Sequence, residues 1–339
     1  MGKRSTHQLL ILLCAVLTVT FTFLLTVTVL LWQPGYTDTA TNTEAAVLSA
    51  DDNFCFAVSD PVPTQAAEAC QVLSVAEQDS PLALIGGKDS GIINILMIGY
   101  DQKEGDAPCR SDCMILCTFH RNANQVTMTS ILRDLYVPIP GHASNRINAA
   151  YALGGMELLK QTLKENLGLH IDGCVEVDFS RFSKIIDLLG GVTLKLRQDE
   201  ADQINKSVPG NLTAGSHHLS GDQALAYTRI RSLDDDGDFS RTNRQRKVIH
   251  SLLASYKDTD ILNALSIAAQ VIPMLSTDME YTRVISTILD VLPILSGCTV
   301  VSQRIPADGM YTYSTIRNMS VLTANMDELH RYLRETLLP

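Results

Sequence analysis

Residues Leu9 to Trp32 form an unbroken run without a single charge, dominated by Leu, Val, Phe and Thr. Inside hydrocarbon every backbone N–H and C=O must find its partner within the segment, so an apolar run of this length has one solution, a membrane-spanning helix. Lys3 and Arg4 precede it. The positive-inside rule then leaves residues 1–8 in the cytoplasm and everything after Trp32 on the outer side of the membrane. The run is longer than the apolar core of a cleavable signal, and no small-x-small site follows it closely. Cys14 lies mid-span behind Leu13, which argues against a lipid-modified N-terminus.

Beyond the span remain roughly 300 residues, enough for one large domain with a small accessory segment. A hydrophobic fraction of 45% supports a real core, and a formal net charge of -10 argues against nucleic acid as a partner. Of the eight cysteines only Cys14 lies in the span, so an odd number sits outside in a non-reducing place. Cys55 with Cys70 is the expected disulfide, and Cys109 with Cys113 a second candidate. Cys113, Cys117 and Cys174 read as small buried hydrophobes within strands. No CxxC pair and no histidine cluster suggests zinc.

Residues 33–91 are expected to be a linker and accessory segment; the part from Pro34 to Ala50 is rich in Thr and Ala and has little periodicity. Order begins at Ile92 to Ile98, a continuous β-branched run that predicts a buried central strand. Further strands are expected at Cys113 to Phe119, Gln125 to Leu132, Val175 to Phe179, Val192 to Leu196 and Thr299 to Arg304. Helices are expected from about Met156 to Leu167, Ser180 to Leu189, through Leu252 to Leu275, Thr282 to Leu295, and from about Asn325. This alternation predicts an α/β fold in which 92–339 is a single three-layer α-β-α domain with a mixed central sheet.

Charge concentrates at strand ends and in one stretch, RIRSLDDDGDFSRTNRQRK, positions 229 to 247. Asp101 follows the first strand, Asp112 and Arg110 precede the second, and Arg133 and Asp134 end the third. Ligands of α/β sheets bind at the carboxyl ends of strands. Ser220 and Gln223 have the spacing of a capping box, which predicts a short helix from Gly221 to Tyr227. An extended chain after it would point Arg229 and Arg231 to one side. Asp238 is the expected N-cap of the next helix, on which Arg241, Arg244 and Gln245 share a face. Cations in a first helical turn oppose the macrodipole, and an anion resting on them would resolve the conflict. Arginine is chosen at almost every position, which favours bidentate phosphate binding. The pattern therefore predicts a pyrophosphate site in which Asp101 and Asp112 hold Mg2+. Asp234, Asp235 and Asp236 read as a solvated loop. Asn148 and Tyr151 are weaker candidates for shaping the pocket, and no P-loop or GxSxG elbow is present.

The blocks NILMIGYD, RSDCMIL, SILRDLYVPIPG, RINAAYALGG, VEVDF with DLLGGVTL, LSGDQALAYTRIR and GDFSRTNRQR occur in this order from about Ile92 to Leu253. Together they resemble the LytR-CpsA-Psr family of cell-envelope phosphotransferases; the C-terminal segment resembles it more loosely. The resemblance implies a membrane-anchored extracytoplasmic enzyme of a mostly Gram-positive bacterium. Such an enzyme moves a glycopolymer, of teichoic acid or capsular polysaccharide type, from a polyprenyl-diphosphate carrier to peptidoglycan, with magnesium. It also implies Asp101 and Asp112 as metal ligands, and Arg110, Arg133, Arg229, Arg231, Arg241 and Gln245 as the pyrophosphate-binding set. The lipid tail would enter an apolar pocket between sheet and helices. Arg133, Arg229 and Arg231 would carry the chemistry, with Asp134 as a candidate base. Four positions depart from the family pattern: Gln102 and Lys103 where an arginine often follows the first aspartate, Ser240 for a glycine, and Cys113 for a threonine. Two other readings use the same site, a polyprenyl-diphosphate hydrolase and a non-catalytic envelope regulator that binds the lipid diphosphate.

Overall fold

The apolar run after Gly91 becomes the central strand of a sheet buried on both faces. β1 (Ile92–Tyr100) pairs antiparallel with β2 (Ser111–His120), which pairs antiparallel with β3 (Gln125–Ile131). A hairpin of β4 (Tyr136–Ile139) and β5 (His142–Arg146) leads into α1 (Asn148–Leu167). β6 (Gly173–Asp178) then runs parallel to β1 and is followed by α2 (Phe179–Leu188). β7 (Val192–Leu196), α3 (Gln198–Ser207) and β8 (Gly215–Leu219) come next, β7 and β8 forming a ribbon of their own. Three helices follow, α4 (Gly221–Arg229), α5 (Asp238–Tyr256) and α6 (Ile261–Val271). The chain closes with β9 (Ser276–Thr277), α7 (Tyr281–Leu295), β10 (Thr299–Ile305), the hairpin β11 (Tyr311–Ile316) and β12 (Met319–Ala324), and α8 (Met326–Leu337).

This computed structural model describes residues 82–87, 90–101, 111–231, 233, 238–256 and 259–338, all within one compact unit, Glu77–Pro339. The apolar run Leu9 to Trp32, the segment 33–81, Arg110, the Asp234 to Asp236 run and the Cys55–Cys70 pairing lie outside the described residues. Cys113 is a free thiol, so the disulfide considered between Cys109 and Cys113 is not formed.

The main sheet has the order β10-β3-β2-β1-β6-β9 and mixes parallel with antiparallel pairs. One face, with Leu96, Ile98, Met114 and Leu116, packs under Leu159 and Leu163 of α1 and Leu329 and Leu333 of α8. The other face, with Ile93, Ile115, Phe119 and Met128, meets Ile249 and Leu253 of α5 and Ile294 of α7. These layers are the expected α-β-α arrangement. A satellite core lies elsewhere, where Ile186, Leu194, Ile204 and Tyr227 tie α2, the β7–β8 ribbon, α3 and α4 together.

Three expectations need correction. The helix expected from Met156 begins at Asn148, because two helical limbs join across Gly154 and Gly155, the latter at φ 63. The strand Val192 to Leu196 is not part of the main sheet. It buries Val192, Leu194 and Leu196 and exposes Thr193 and Lys195, the alternation of a ribbon with one wet face. The single pattern through Leu252 to Leu275 is two helices, since Asp260 caps α6 by accepting from the Asn263 backbone N–H. Cys117 and Cys174 are buried free thiols, as expected of small hydrophobes. Burial pushes both up to about 12.

At pH 8 a thiol with so high a pKa is thiolate in only about one molecule in ten thousand, so native protein should leave Cys117 and Cys174 unlabelled by iodoacetamide. Mass spectrometry of peptides from folded and urea-unfolded samples checks this; equal labelling in both would contradict it. Gly221 starts α4 where an added Cβ would collide with the Ser183 carbonyl. Gly221→Ala is therefore expected to cost about 1–3 kcal/mol or more in urea denaturation, since backbone cannot yield as a side chain does.

Candidate functional site

The site begins with an irregularity in the central ladder. β1 and β2 run in register from Ile92↔His120 to Gly99↔Cys113 and then slip, so that Tyr100 faces Ser111 and Asp112 is the extra residue. A bulge leaves its extra residue outside the ladder and re-aims its side chain. Asp112 thereby comes to the sheet end that Asp101, the residue after β1, also occupies.

Arginines from three other elements converge there. Arg133, just beyond β3, donates from Nη1 to Asp112 Oδ1 at 2.6 Å, and its Nε stands 3.3 Å from Asp238 Oδ2 and 3.7 Å from Asp134 Oδ2. Burial alone would lower the Arg133 pKa, but Asp238, Asp134 and Asp112 together push it above its ordinary value. Arg241 of α5 donates from Nη2 to the Asp112 carbonyl at 3.0 Å and to Asp238 Oδ2 at 2.9 Å. Only 2% of Arg241 is exposed, and burial, helped by repulsion from Arg133 and Arg231, lowers its pKa. Arg229 ends α4, with Nη2 3.4 Å from Asp101 Oδ2 and its guanidinium 4.9 Å from the Phe179 ring centre. Arg231 reaches Asp112 Oδ1 at 3.9 Å. Arg229 and Arg231 are half exposed. They are the accessible cations of the group.

The local expectations hold in part. The Ser220–Gln223 capping box forms, with the Gln223 N–H donating to Ser220 Oγ and the Ser220 N–H to Gln223 Oε1. The helix it starts runs on through Arg229, so Arg229 and Arg231 do not lie on one extended strand. Asp238 is the first residue of α5 instead of its cap, and its carboxylate accepts from Arg241 and faces Arg133. Asp134 is shared between Arg133 and Arg146, the latter at 3.2 Å. Its carboxylate therefore stands where it orients two arginines.

Arg244 is the clear departure. Its Nε donates to Glu200 Oε1 at 2.9 Å and its Nη1 to the Ile230 carbonyl at 3.3 Å, and Arg244 and Glu200 are each 3% exposed. The i, i+3 spacing from Arg241 set Arg244 on the expected face, but a buried carboxylate from α3 draws its guanidinium into the satellite core. Nothing in the local sequence of either helix announces that pairing. Phe179 and Asp238 were likewise absent from the expected site.

Several buried polar atoms beside the cluster have no protein partner among the described residues: Arg241 Nε, Gln245 Oε1, Asn148 Oδ1 and Ser111 Oγ. Each such atom costs about 1–3 kcal/mol unless something meets it. Asn148 adjoins Arg133 through its N–H, which donates to the Arg133 carbonyl. Tyr151 instead hydrogen-bonds Glu176 and lies 6.2 Å from the Tyr100 ring. Among the described residues no group of three or more His, Cys, Asp or Glu is placed so that it could hold a metal ion. Two carboxylates are nonetheless a set by which magnesium is held when phosphate oxygens complete its shell.

Behind the cluster lies an apolar cavity of about 500 Å³ between the sheet and helices α2 and α4 to α7. Its walls include Ile95, Met97, Phe119, Phe182, Ile267 and Ile288. Tyr256, Thr259 and Thr287 also line it, and towards the cluster its lining includes Gly99, Cys113, Thr228 and Gln245. Gly99, Cys113 and Thr228 are each within two residues of a charged member of the cluster, so the apolar cavity ends where the arginines begin.

A protein-family model, LytR_cpsA_psr family, matches residues 62–335. "Regulatory protein MsrR" of Staphylococcus aureus (strain COL) is 38% identical over 167 residues, 49% of this chain and 49% of that protein. "Polyisoprenyl-teichoic acid--peptidoglycan teichoic acid transferase TagT" of Bacillus subtilis (strain 168) is 36% identical over 185 residues, 52% of this chain and 56% of that one. The chain thus spans about half the length of the curated relatives it matches. A solved structure of the LytR-CPS2A-psr family protein YwtF (TagT) with bound octaprenyl pyrophosphate lipid superposes at TM-score 0.56 and 25% identity, covering 78% of this chain and 99% of that one. With a family model matched over most of its length, and a bulged strand end, arginine cluster and apolar cavity beside it, this chain belongs to the LytR_cpsA_psr family.

Proposed function

We propose that this protein is a membrane-anchored, magnesium-dependent phosphotransferase that moves a glycopolymer, of teichoic acid or capsular type, from a polyprenyl-diphosphate carrier to peptidoglycan. One observation carries the reading: the apolar cavity ends on the arginine cluster. That juxtaposition suits a ligand with a long hydrocarbon tail and a diphosphate head. The relatives' names and the octaprenyl pyrophosphate bound to TagT support the same ligand class.

The roles follow from the geometry. Arg229 and Arg231, half exposed at the mouth, meet the diphosphate oxygens; Arg241 and Gln245 stand deeper, where the tail begins. Rotation of the Gln245 amide presents its NH2 to the same space that its orphaned oxygen now faces. Arg133 is fixed by Asp112, Asp134 and Asp238, so it stabilises developing charge without reorganising. An acceptor sugar hydroxyl attacks the phosphorus that carries the glycan. The bond to the second phosphate breaks, polyprenyl phosphate leaves, and the hydroxyl proton passes to solvent.

Asp101 and Asp112 stand at the same sheet end as the arginines. They would hold magnesium, which would supply further positive charge to the phosphate oxygens.

The deciding experiment follows polyprenyl phosphate release and acceptor mass together, with full-length protein, a polyprenyl-diphosphate-linked glycan, magnesium and peptidoglycan fragments. Glycan gained by the acceptor is expected; lipid release without it would indicate a hydrolase, and tight binding without either product a regulator. Arg229→Ala should cut turnover about 10²–10³-fold while thermal stability holds, the size of effect seen when one stabilising donor is lost. Arg244→Ala should do the reverse, losing about 3–5 kcal/mol of stability by stranding Glu200, with the folded fraction still active. Equal turnover losses in the two variants would put Arg244 back in the site. Asp112→Asn is expected to flatten the magnesium dependence; a titration like that of the unchanged protein would remove Asp112 from metal binding.

A further inference from the structure

A second cavity, about 610 Å³, lies on a neighbouring face of α4. Asp222, Ala226 and Arg229 follow one another at i, i+4 and i+7 and line it, while Leu225 and Thr228 line the apolar cavity, Leu225 touching both. α4 therefore divides two spaces of opposite character. Both spaces reach the arginines: Arg229 and Arg231 border the second cavity, and the same guanidiniums approach Asp101 and Asp112.

The chemistry of the second cavity is neither that of a lipid pocket nor that of an anion site. Gln203 and Ser207, one turn apart on α3, contribute an amide and a hydroxyl. Asp222 contributes a carboxylate, steadied by the Ser183 hydroxyl, which donates to its Oδ1 at 2.6 Å. That carboxylate repels a further phosphate. Around these groups Pro209, Leu225, Ala226 and Ile230 supply apolar surface. Hydrogen-bonding groups beside apolar surface complement a pyranose ring, whose edge carries hydroxyls and whose faces carry C–H groups.

We propose that this cavity is a carbohydrate subsite, holding a sugar ring beside the diphosphate while the tail lies across α4 in the apolar cavity. The proposal rests on the functional reading above and adds to it a place, Gln203, Ser207 and Asp222, where the glycan is recognised. The sugar belongs either to the donor or to the acceptor; both present the same hydroxylated ring.

The test uses full-length protein in detergent, with two variants. Ser207→Trp fills the cavity from an exposed position at the end of α3, and Asp222→Asn removes the charge but keeps an oxygen for Ser183. Binding is measured for polyprenyl diphosphate without sugar and for polyprenyl-diphosphate-linked disaccharide, and KM for a peptidoglycan fragment. If the donor sugar occupies the subsite, Ser207→Trp loses about tenfold in affinity for the sugar-bearing lipid, equivalent to about 1.4 kcal/mol, and Asp222→Asn loses affinity in the same direction. Affinity for the sugar-free lipid stays the same. If the acceptor sugar occupies it, both donor affinities hold and KM for the fragment rises by a similar factor. Loss of affinity for the sugar-free lipid to the same extent would overturn the proposal, as would no change in any of the three quantities. The unchanged protein separates the two claims: binding of sugar-free polyprenyl diphosphate tests the diphosphate site, and only the variants' discrimination tests the subsite.

Discussion

A one-residue slip in the β1–β2 ladder governs the rest of the site. Ladder pairing holds from Ile92 to Gly99, and each residue there has its face decided by the strand period of two. Had pairing continued without the bulge, Asp112 would have been locked opposite Tyr100 and its side chain committed to one face of the sheet. Freed from the ladder, it accepts from Arg133 through its carboxylate and from Arg241 through its carbonyl. The ends of β1, β2 and β3 and the first turns of α5 are thereby bound into one charged group. Asp238 completes it by joining Arg133 to Arg241.

The two faces of the sheet are used differently. Under α1 and α8 the side chains close into a filled core, with Leu96, Leu116, Leu163 and Leu333 fully buried. On the other face the helices stand off, and α6 contributes no buried residue although it is almost wholly apolar. A sequence so apolar in an element so exposed makes physical sense as a wall of the cavity, where Ala264, Ile267 and Val271 face its interior. The more fully closed core lies on one face, and the opening for a ligand on the other.

Arg246 shows how far arginine chemistry in this stretch serves structure. It is 6% exposed, donates to Ser302 and Ser130 hydroxyls, and has its pKa lowered to about 10 by burial and by Arg304. It clamps α5 to β3 and β10. Arg241, Arg244 and Arg246 lie within two turns of one helix and yet play three different parts: among the described residues Arg241 meets Asp112 and Asp238, Arg244 meets Glu200, and Arg246 meets Ser130 and Ser302. Helical spacing placed them around the cylinder, and the partner available at each azimuth decided what each one does.

The sequence by itself determined the central strands, the capping-box helix, the class of fold and the residue types gathered at the strand ends, because hydrophobic period and capping act within a few residues. Asp101, Asp112, Arg133 and Arg241 were named from that pattern and the fold brings them together, whereas Arg229 and Arg231 reach the group from a helix end and not from the extended strand expected. The tertiary structure alone decided that Arg244 belongs to Glu200, that Asp134 is shared with Arg146, that Asp238 is a bridge and not a cap, and that Phe179 lies under Arg229. It also decided that the Val192 to Leu196 strand leaves the main sheet and that two cavities flank α4. The reason is common to all of these: each is a choice among partners many residues apart, and an ion pair or a cavity wall follows the distance between side chains in the folded chain, which local spacing does not encode.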